Sequence, residues 1–252
     1  MLMPRLAIPE VELHYEDRGR GPVLLCLPGA LGTGASDFAP QIEGLSHRFR
    51  IIAPDPRGYG QSRPPQRDFP ADFLQRDAND MAALLEALGV ASCCVAGWSD
   101  GANTAALLAI AHPHRVARLA IWGGNSYNAA QDVALYQEAR SLDSWSPRMR
   151  QTYAAIYGEE LQPLWSAWCD ALDSIYAAGG EIYRRRLCEI RCPTLILDGA
   201  LDPIVPRFHA QELHRGIAGS RLHVFAEGKH NIHLRYAVEF NRLLEEFMGA
   251  GS

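Results

Sequence analysis

Short apolar runs alternate along this chain with longer segments whose apolar positions recur every three or four residues. Val23–Leu27, Arg50–Pro54 and Val116–Trp122 are near-continuous apolar runs, each closed by a Gly- or Pro-containing loop. Residues 91–96, 194–197 and Arg221–Phe225 extend the series. Such runs predict strands buried on both faces. Residues 6–8 and 11–15 alternate about Pro9-Glu10 and predict an opening hairpin. Helical spacing runs over 71–88, with Phe73, Ala78, Met81, Leu84, Leu85 and Leu88 on one side, and again over 102–111, 208–215 and 233–248. Strands alternating with helices predict an α/β fold: a mostly parallel central sheet with helices on both faces.

The alternation stops between about residues 123 and 187. That stretch has helical patterns, no clear strand and many aromatics, among them Tyr127, Tyr136, Trp145, Trp165, Trp168 and Tyr183. Lying between two sheet strands, it is expected to form a helical cap above the strand ends. The whole chain then reads as one domain, with a core of about 1–122 and 188–252 and a cap of about 123–187.

Gly97-Trp98-Ser99-Asp100-Gly101 joins the strand at 91–96 to the helix at 102–111. A serine on so sharp a strand-to-helix turn is a nucleophile elbow. Small flanks let the backbone pass, and the hydroxyl is left exposed above the sheet. A serine nucleophile needs a base, and the base an orienting acid, in the chain order Ser, acid, His for this architecture. Asp202, on a loop stiffened by Pro203 and Pro206 after the strand at 194–197, is the expected acid, with Asp198 at the strand end as its rival. His230, on a Gly-containing loop after the last strand, is the expected base, whereas His233 opens a helix and suits a terminal or packed role. The oxyanion requires two backbone donors: the N–H of Asp100, and one from the loop after Val23–Leu27, where Ala30 comes first and Leu31 second.

Asp100 is an unusual neighbour for that chemistry. Carboxylates at helix N-termini gain about 0.3–1 kcal/mol. At about 8 Å, however, a unit negative charge opposes an oxyanion by roughly 2 kcal/mol at an effective dielectric near 20. A substrate cation beside Asp100 would reverse that balance.

Composition narrows the classes. The 252 residues carry a formal net charge of −5, which argues against nucleic acid or an anionic membrane as partner, and no apolar run approaches a membrane span. Three of the six cysteines lie in apolar strand-like runs, Cys188 and Cys192 have one residue too many between them for a redox pair, and no second Cys pair completes a zinc site, so reduced thiols and no metal are expected. The first residues show neither a secretory h-region nor a transit peptide, from which a cytoplasmic monomer is expected, or a mitochondrial protein if a presequence has been removed.

Almost the whole chain resembles the α/β-hydrolase superfamily, in its valacyclovir hydrolase (biphenyl hydrolase-like) branch. The matching strings are Leu27-Pro-Gly-Ala-Leu-Gly32, Asp55-Pro-Arg-Gly-Tyr-Gly-Gln-Ser-Arg-Pro-Pro65, Arg67-Asp-Phe-Pro-Ala-Asp-Phe73, the elbow, Asp202-Pro-Ile-Val-Pro-Arg-Phe-His-Ala210 and Glu227-Gly-Lys-His-Asn231. Pro28-Gly29 stands where the wider superfamily commonly has His-Gly, and residues 161–181 match the branch only loosely. The resemblance implies an α/β-hydrolase fold and a serine esterase of α-amino acid esters, with Ser99, Asp202 and His230 as triad and Asp100 binding the substrate's α-ammonium. It implies no cofactor. Dehalogenases and epoxide hydrolases of this fold carry a carboxylate where Ser99 stands. A lactonase or thiolactonase, an aminopeptidase or a carbon–carbon bond hydrolase would use the same triad, and a ligand receptor of this fold could keep it with very slow turnover.

Overall fold

The computed structural model describes residues 4–249. The hairpin is β1 (Arg5–Ile8) and β2 (Val11–Arg18), paired Ile8 on Val11. β2 pairs antiparallel with β4 (Arg50–Pro54), and from there the sheet is parallel. β3 (Val23–Leu27) lies between β4 and β5 (Cys93–Trp98). β5 is followed in space by β6 (Val116–Trp122), β7 (Thr194–Gly199) and β8 (Arg221–Phe225). The order β1-β2-β4-β3-β5-β6-β7-β8 puts the elbow strand β5 inside the sheet, between β3 and β6.

Successive side chains of a strand point to opposite faces, and here both faces are apolar. On β3, Leu25 and Leu27 enter one core while Leu24 and Cys26 enter the other. On β5, Val95 faces the first core, and Cys94, Ala96 and Trp98 face the second. The first core is completed by α2 (Phe73–Ala87), α3 (Asp100–Ala111) and α7 (Phe208–Gly216), through Leu84, Leu85, Leu108 and Leu213. The second is completed by α1 (Gly34–Leu45) and α9 (Ala237–Gly249), through Phe38, Leu45, Phe240, Leu244 and Phe247.

Two elements differ from the sequence reading. α1 had no counterpart in the periodicity; it starts at a capping box in which Thr33 and Ser36 satisfy each other's amides. The helix expected over 233–248 is broken at Tyr236 (φ −116, ψ 38) into α8 (Ile232–Arg235) and α9. Between β6 and β7 lie α4 (Ala130–Glu138), α5 (Pro147–Tyr157) and α6 (Leu161–Ala177). The two ends of this segment are stitched together: Asn128 N donates to Gly180 O, and the amides of Ile182, Tyr183 and Arg184 all donate to Ser126 O. All six cysteines are unpaired, four of them buried. Among the described residues no helix is long and apolar enough to cross a membrane.

Candidate active site

Ser99 joins β5 to α3 at φ 57, ψ −123, a conformation that non-glycine residues rarely adopt and that the surroundings must impose. Its N–H donates to Trp122 O at 2.9 Å, and its carbonyl accepts from Ala102 and Asn103 in the first turn of α3. The flanks have no room for a side chain. A Cβ on Gly97 would lie 2.2 Å from Gly101 O, and one on Gly101 only 2.0 Å from Leu27 O.

From the loop after β8, His230 comes up against Trp98, the residue before Ser99. Its ring lies over Gly123, where a Cβ would come within 2.8 Å of Cε1, and packs against the Trp98 ring at 5.2 Å between centroids. Trp98 Nε1 donates to His230 O at 2.9 Å, tying the histidine loop to the residue before Ser99. His230 Nδ1 lies 2.7 Å from Asp202 Oδ2, while the amides of Ile204 and Val205 donate to Oδ1 at 2.8 and 3.0 Å. Burial acts to raise the Asp202 carboxyl, but the charge and hydrogen bond of His230 and the two amides together bring it below the usual range. Asp202 is therefore ionised, so Nδ1 carries the proton and donates, and Nε2 is left as the basic atom.

Asp198 does not join this arrangement. It lies in β7, where Arg207 Nε is 3.5 Å from its Oδ2, and burial pushes it up to about 6. His233 is packed: it is wholly buried in α8 and accepts from Trp122 Nε1 at 3.0 Å. Burial lowers it to about 3, so it stays neutral.

The loop after β3 is braced from both sides. Gly29 N donates to Asp37 Oδ2 at 3.0 Å, Gly32 N to Gly29 O at 3.0 Å, and Leu31 is held at φ 64. From α5, Tyr157 Oη donates to Leu31 O at 2.7 Å and accepts from Gly60 N at 3.2 Å. Burial pushes Asp37 up to about 7, against the Ser36 and Gly29 donors. The N–H groups of Ala30 and Asp100 have no acceptor among the described residues.

The Asp100 side chain turns away from water and is 9% exposed. Its Oδ2 accepts from Trp168 Nε1 of α6 at 2.7 Å, and Oδ1 takes no hydrogen bond from the described residues. Burial pushes it up to about 6, against Trp168 and the more distant charge of Arg67. Arg67 cannot serve as its ion partner. That guanidinium is bound at two points by Asp77, at 2.7 and 2.6 Å, and sits over the rings of Tyr59, Phe69 and Phe73. Arg67 stays charged, held so by Asp77 despite its burial. Asp100, Arg67 and Asp77 thus sum to one unmatched negative charge beside Ser99. The sequence marks neither Asp77 nor Asp37, and shows Arg67 only within a matching string and Trp168 only among the aromatics of the expected cap. Asp37 was findable as the residue after the Thr33/Ser36 cap, whereas nothing local links Trp168 to Asp100. Among the described residues no three His, Cys, Asp or Glu side chains are grouped to hold a metal ion.

Residues 22–156 match the family model of the alpha/beta hydrolase fold. Human serine hydrolase BPHL is 44% identical to this chain over 97% of it and 85% of the relative, and the mouse protein of that name is 46% identical over the same shares. The backbone superposes on the 2-hydroxy-6-oxo-6-phenylhexa-2,4-dienoate hydrolase (BPHD) of Rhodococcus sp. strain RHA1 with a TM-score of 0.85 over 99% of both chains, at 19% identity, which is a likeness of fold. The family model over more than half of the chain and the two BPHL relatives place it: the chain is a hydrolase that belongs to the α/β-hydrolase family, in the branch that holds the BPHL serine hydrolases.

Proposed function

We propose that the protein is a serine esterase that cleaves small esters of α-amino acids through an acyl-enzyme on Ser99. His230 Nε2 takes the Ser99 proton as Oγ attacks the ester carbonyl, and returns it to the departing alcohol. Asp202 holds the imidazole in the required tautomer and stabilises the imidazolium. The N–H groups of Ala30 and Asp100 receive the oxyanion. Water, activated by the same histidine, then releases the amino acid and restores Ser99.

The observation that carries the amino acid part of this reading is the unmatched charge at Asp100. A buried carboxylate without a cation costs several kcal/mol, and its pKa is already raised. A substrate α-ammonium at Oδ1 removes that penalty and cancels the repulsion that Asp100 exerts on the oxyanion. Substrate charge is then required for fast chemistry as well as for binding. Steady-state rates on an aminoacyl ester and its N-acetyl derivative test this. The acetylated ester is expected to be at least about 100-fold poorer in kcat/KM, the range for one charge-assisted contact of about 3 kcal/mol. Equal rates would remove the amino acid specificity and leave a plain esterase, lactonase or carbon–carbon hydrolase. Acylation by one equivalent of ester without turnover would leave a receptor.

A further inference from the structure

We infer that Trp168 of the α6 helix is a positioning residue for substrate selection: its indole N–H fixes the Asp100 carboxylate with one oxygen free to meet a cationic substrate group. The inference rests on the reading of Asp100 as the partner of the substrate ammonium. An indole N–H only donates, so its 2.7 Å contact with Oδ2 favours the ionised carboxylate and opposes a proton on that oxygen. Trp168 itself has little freedom. It stacks on Trp165 at 4.5 Å and 14°, and meets Tyr136 edge-on at 5.3 Å. Trp165 Nε1 is in turn held by Ala139 O at 2.9 Å, as is Trp145 Nε1 at 3.1 Å. The donor is thus presented by a rigid aromatic stack, and Asp100 conforms to it. Oδ1 is left with no donor among the described residues and is the oxygen offered to the substrate.

Other charged groups act on Asp100: Arg67 favours its ionised form, as does His230 when charged, and Asp77 opposes it. The hydroxyls of Tyr59 and Tyr136 feel its charge and are themselves raised by burial. Of the groups that favour ionisation, Trp168 has the largest effect. Its loss therefore raises the pKa of Asp100, which begins at about 6, and neutralises part of the carboxylate at pH 7.

The test is Trp168→Phe, which keeps an aromatic ring in the stack and removes the donor. kcat/KM is measured against pH for an aminoacyl ester and for the uncharged ester of the same alcohol. The acid limb of the aminoacyl ester should move upward by about one pH unit, as expected for one charge-assisted hydrogen bond, so that its kcat/KM falls about twofold at pH 7 and about tenfold near pH 5. The uncharged ester should keep its rate and its limb. Trp165→Phe, which alters the same stack without touching Asp100, should leave both limbs in place. In the unaltered protein, one of the five indole N–H signals should titrate near pH 6 and become flat in Asp100→Asn. An unmoved acid limb in Trp168→Phe, an equal loss on both esters, or no titrating indole signal would overturn the role of Trp168. If Asp100→Asn fails to separate charged from uncharged esters, the reading of Asp100 itself falls.

Discussion

Asp198 and Asp202 lie close in sequence at the end of β7, yet their surroundings drive them apart. Asp202 accepts two loop amides and the His230 N–H and is held ionised. Asp198 faces the exposed Arg207 at 3.5 Å and is pushed up to about 6 by burial. Asp202→Asn removes the acceptor that selects the His230 tautomer, and kcat should fall by as much as roughly 10⁴-fold, the loss known for the equivalent change in the serine protease triad. Asp198→Asn relieves a buried carboxylate and should change kcat only a few-fold. Parallel ester assays of the two variants decide the matter, and the reverse ranking would hand the acid's role to Asp198. The same scale explains why both elbow glycines are needed: contacts of 2.0–2.2 Å to backbone oxygens leave no rotamer by which a side chain could escape.

At the scale of elements, the inner strands β3 to β7 were legible because they are apolar on both faces, and the opening hairpin because its apolar positions alternate. α1 was not. It contains Gly34, Gly44 and Pro40, poor helix formers, and is held by its cap and by Phe38 and Leu45 packing in the second core with the apolar side chains of α9. The break at Tyr236 was also hidden, since the apolar spacing continues across it. What joins the segment between β6 and β7 to the rest is equally tertiary. Asp132 of α4 meets His209 Nε2 of α7 with both oxygens at 2.9 Å, wholly buried, and also accepts from Ala129 N. His209 Nδ1 has no partner among the described residues. Asp132→Ala newly strands His209 Nε2 and the Ala129 amide, and each polar group so stranded costs about 1–3 kcal/mol where it is buried. Thermal unfolding should begin several degrees lower, at roughly 2–4 °C per kcal/mol for a chain of this size. An unchanged Tm would mean that α4 is held by other contacts.

Over the whole molecule, chain order and loop position led from the sequence to Ser99, Asp202 and His230, each after a particular strand, and the structure pairs Asp202 with His230 at 2.7 Å. The surroundings of Asp100 were not legible, since Trp168 is 68 residues away and Arg67, whose charge acts on Asp100, is taken up by Asp77. Global stability carries a comparable hidden term at His233. The unfolded chain takes up a proton there near 6.5, whereas the folded protein resists it until about 3. Wild-type stability is therefore lost as pH falls through that window. His233→Gln retains an acceptor for Trp122 and does not titrate. Relative to wild type, it should gain about 3 kcal/mol in unfolding free energy between pH 7 and pH 4. Denaturant curves at the two pH values measure this, and a constant difference between the proteins would show that His233 does not titrate as described. The central claim, that the unmatched charge of Asp100 selects aminoacyl esters, is tested most directly by Asp100→Asn, which keeps the backbone donor and the side-chain shape. With an aminoacyl ester and the des-amino ester of the same alcohol, the variant should lose about 100-fold or more in kcat/KM on the charged substrate while the uncharged one is preserved or improved. An equal loss on both would contradict the account and reduce Asp100 to a support for the elbow.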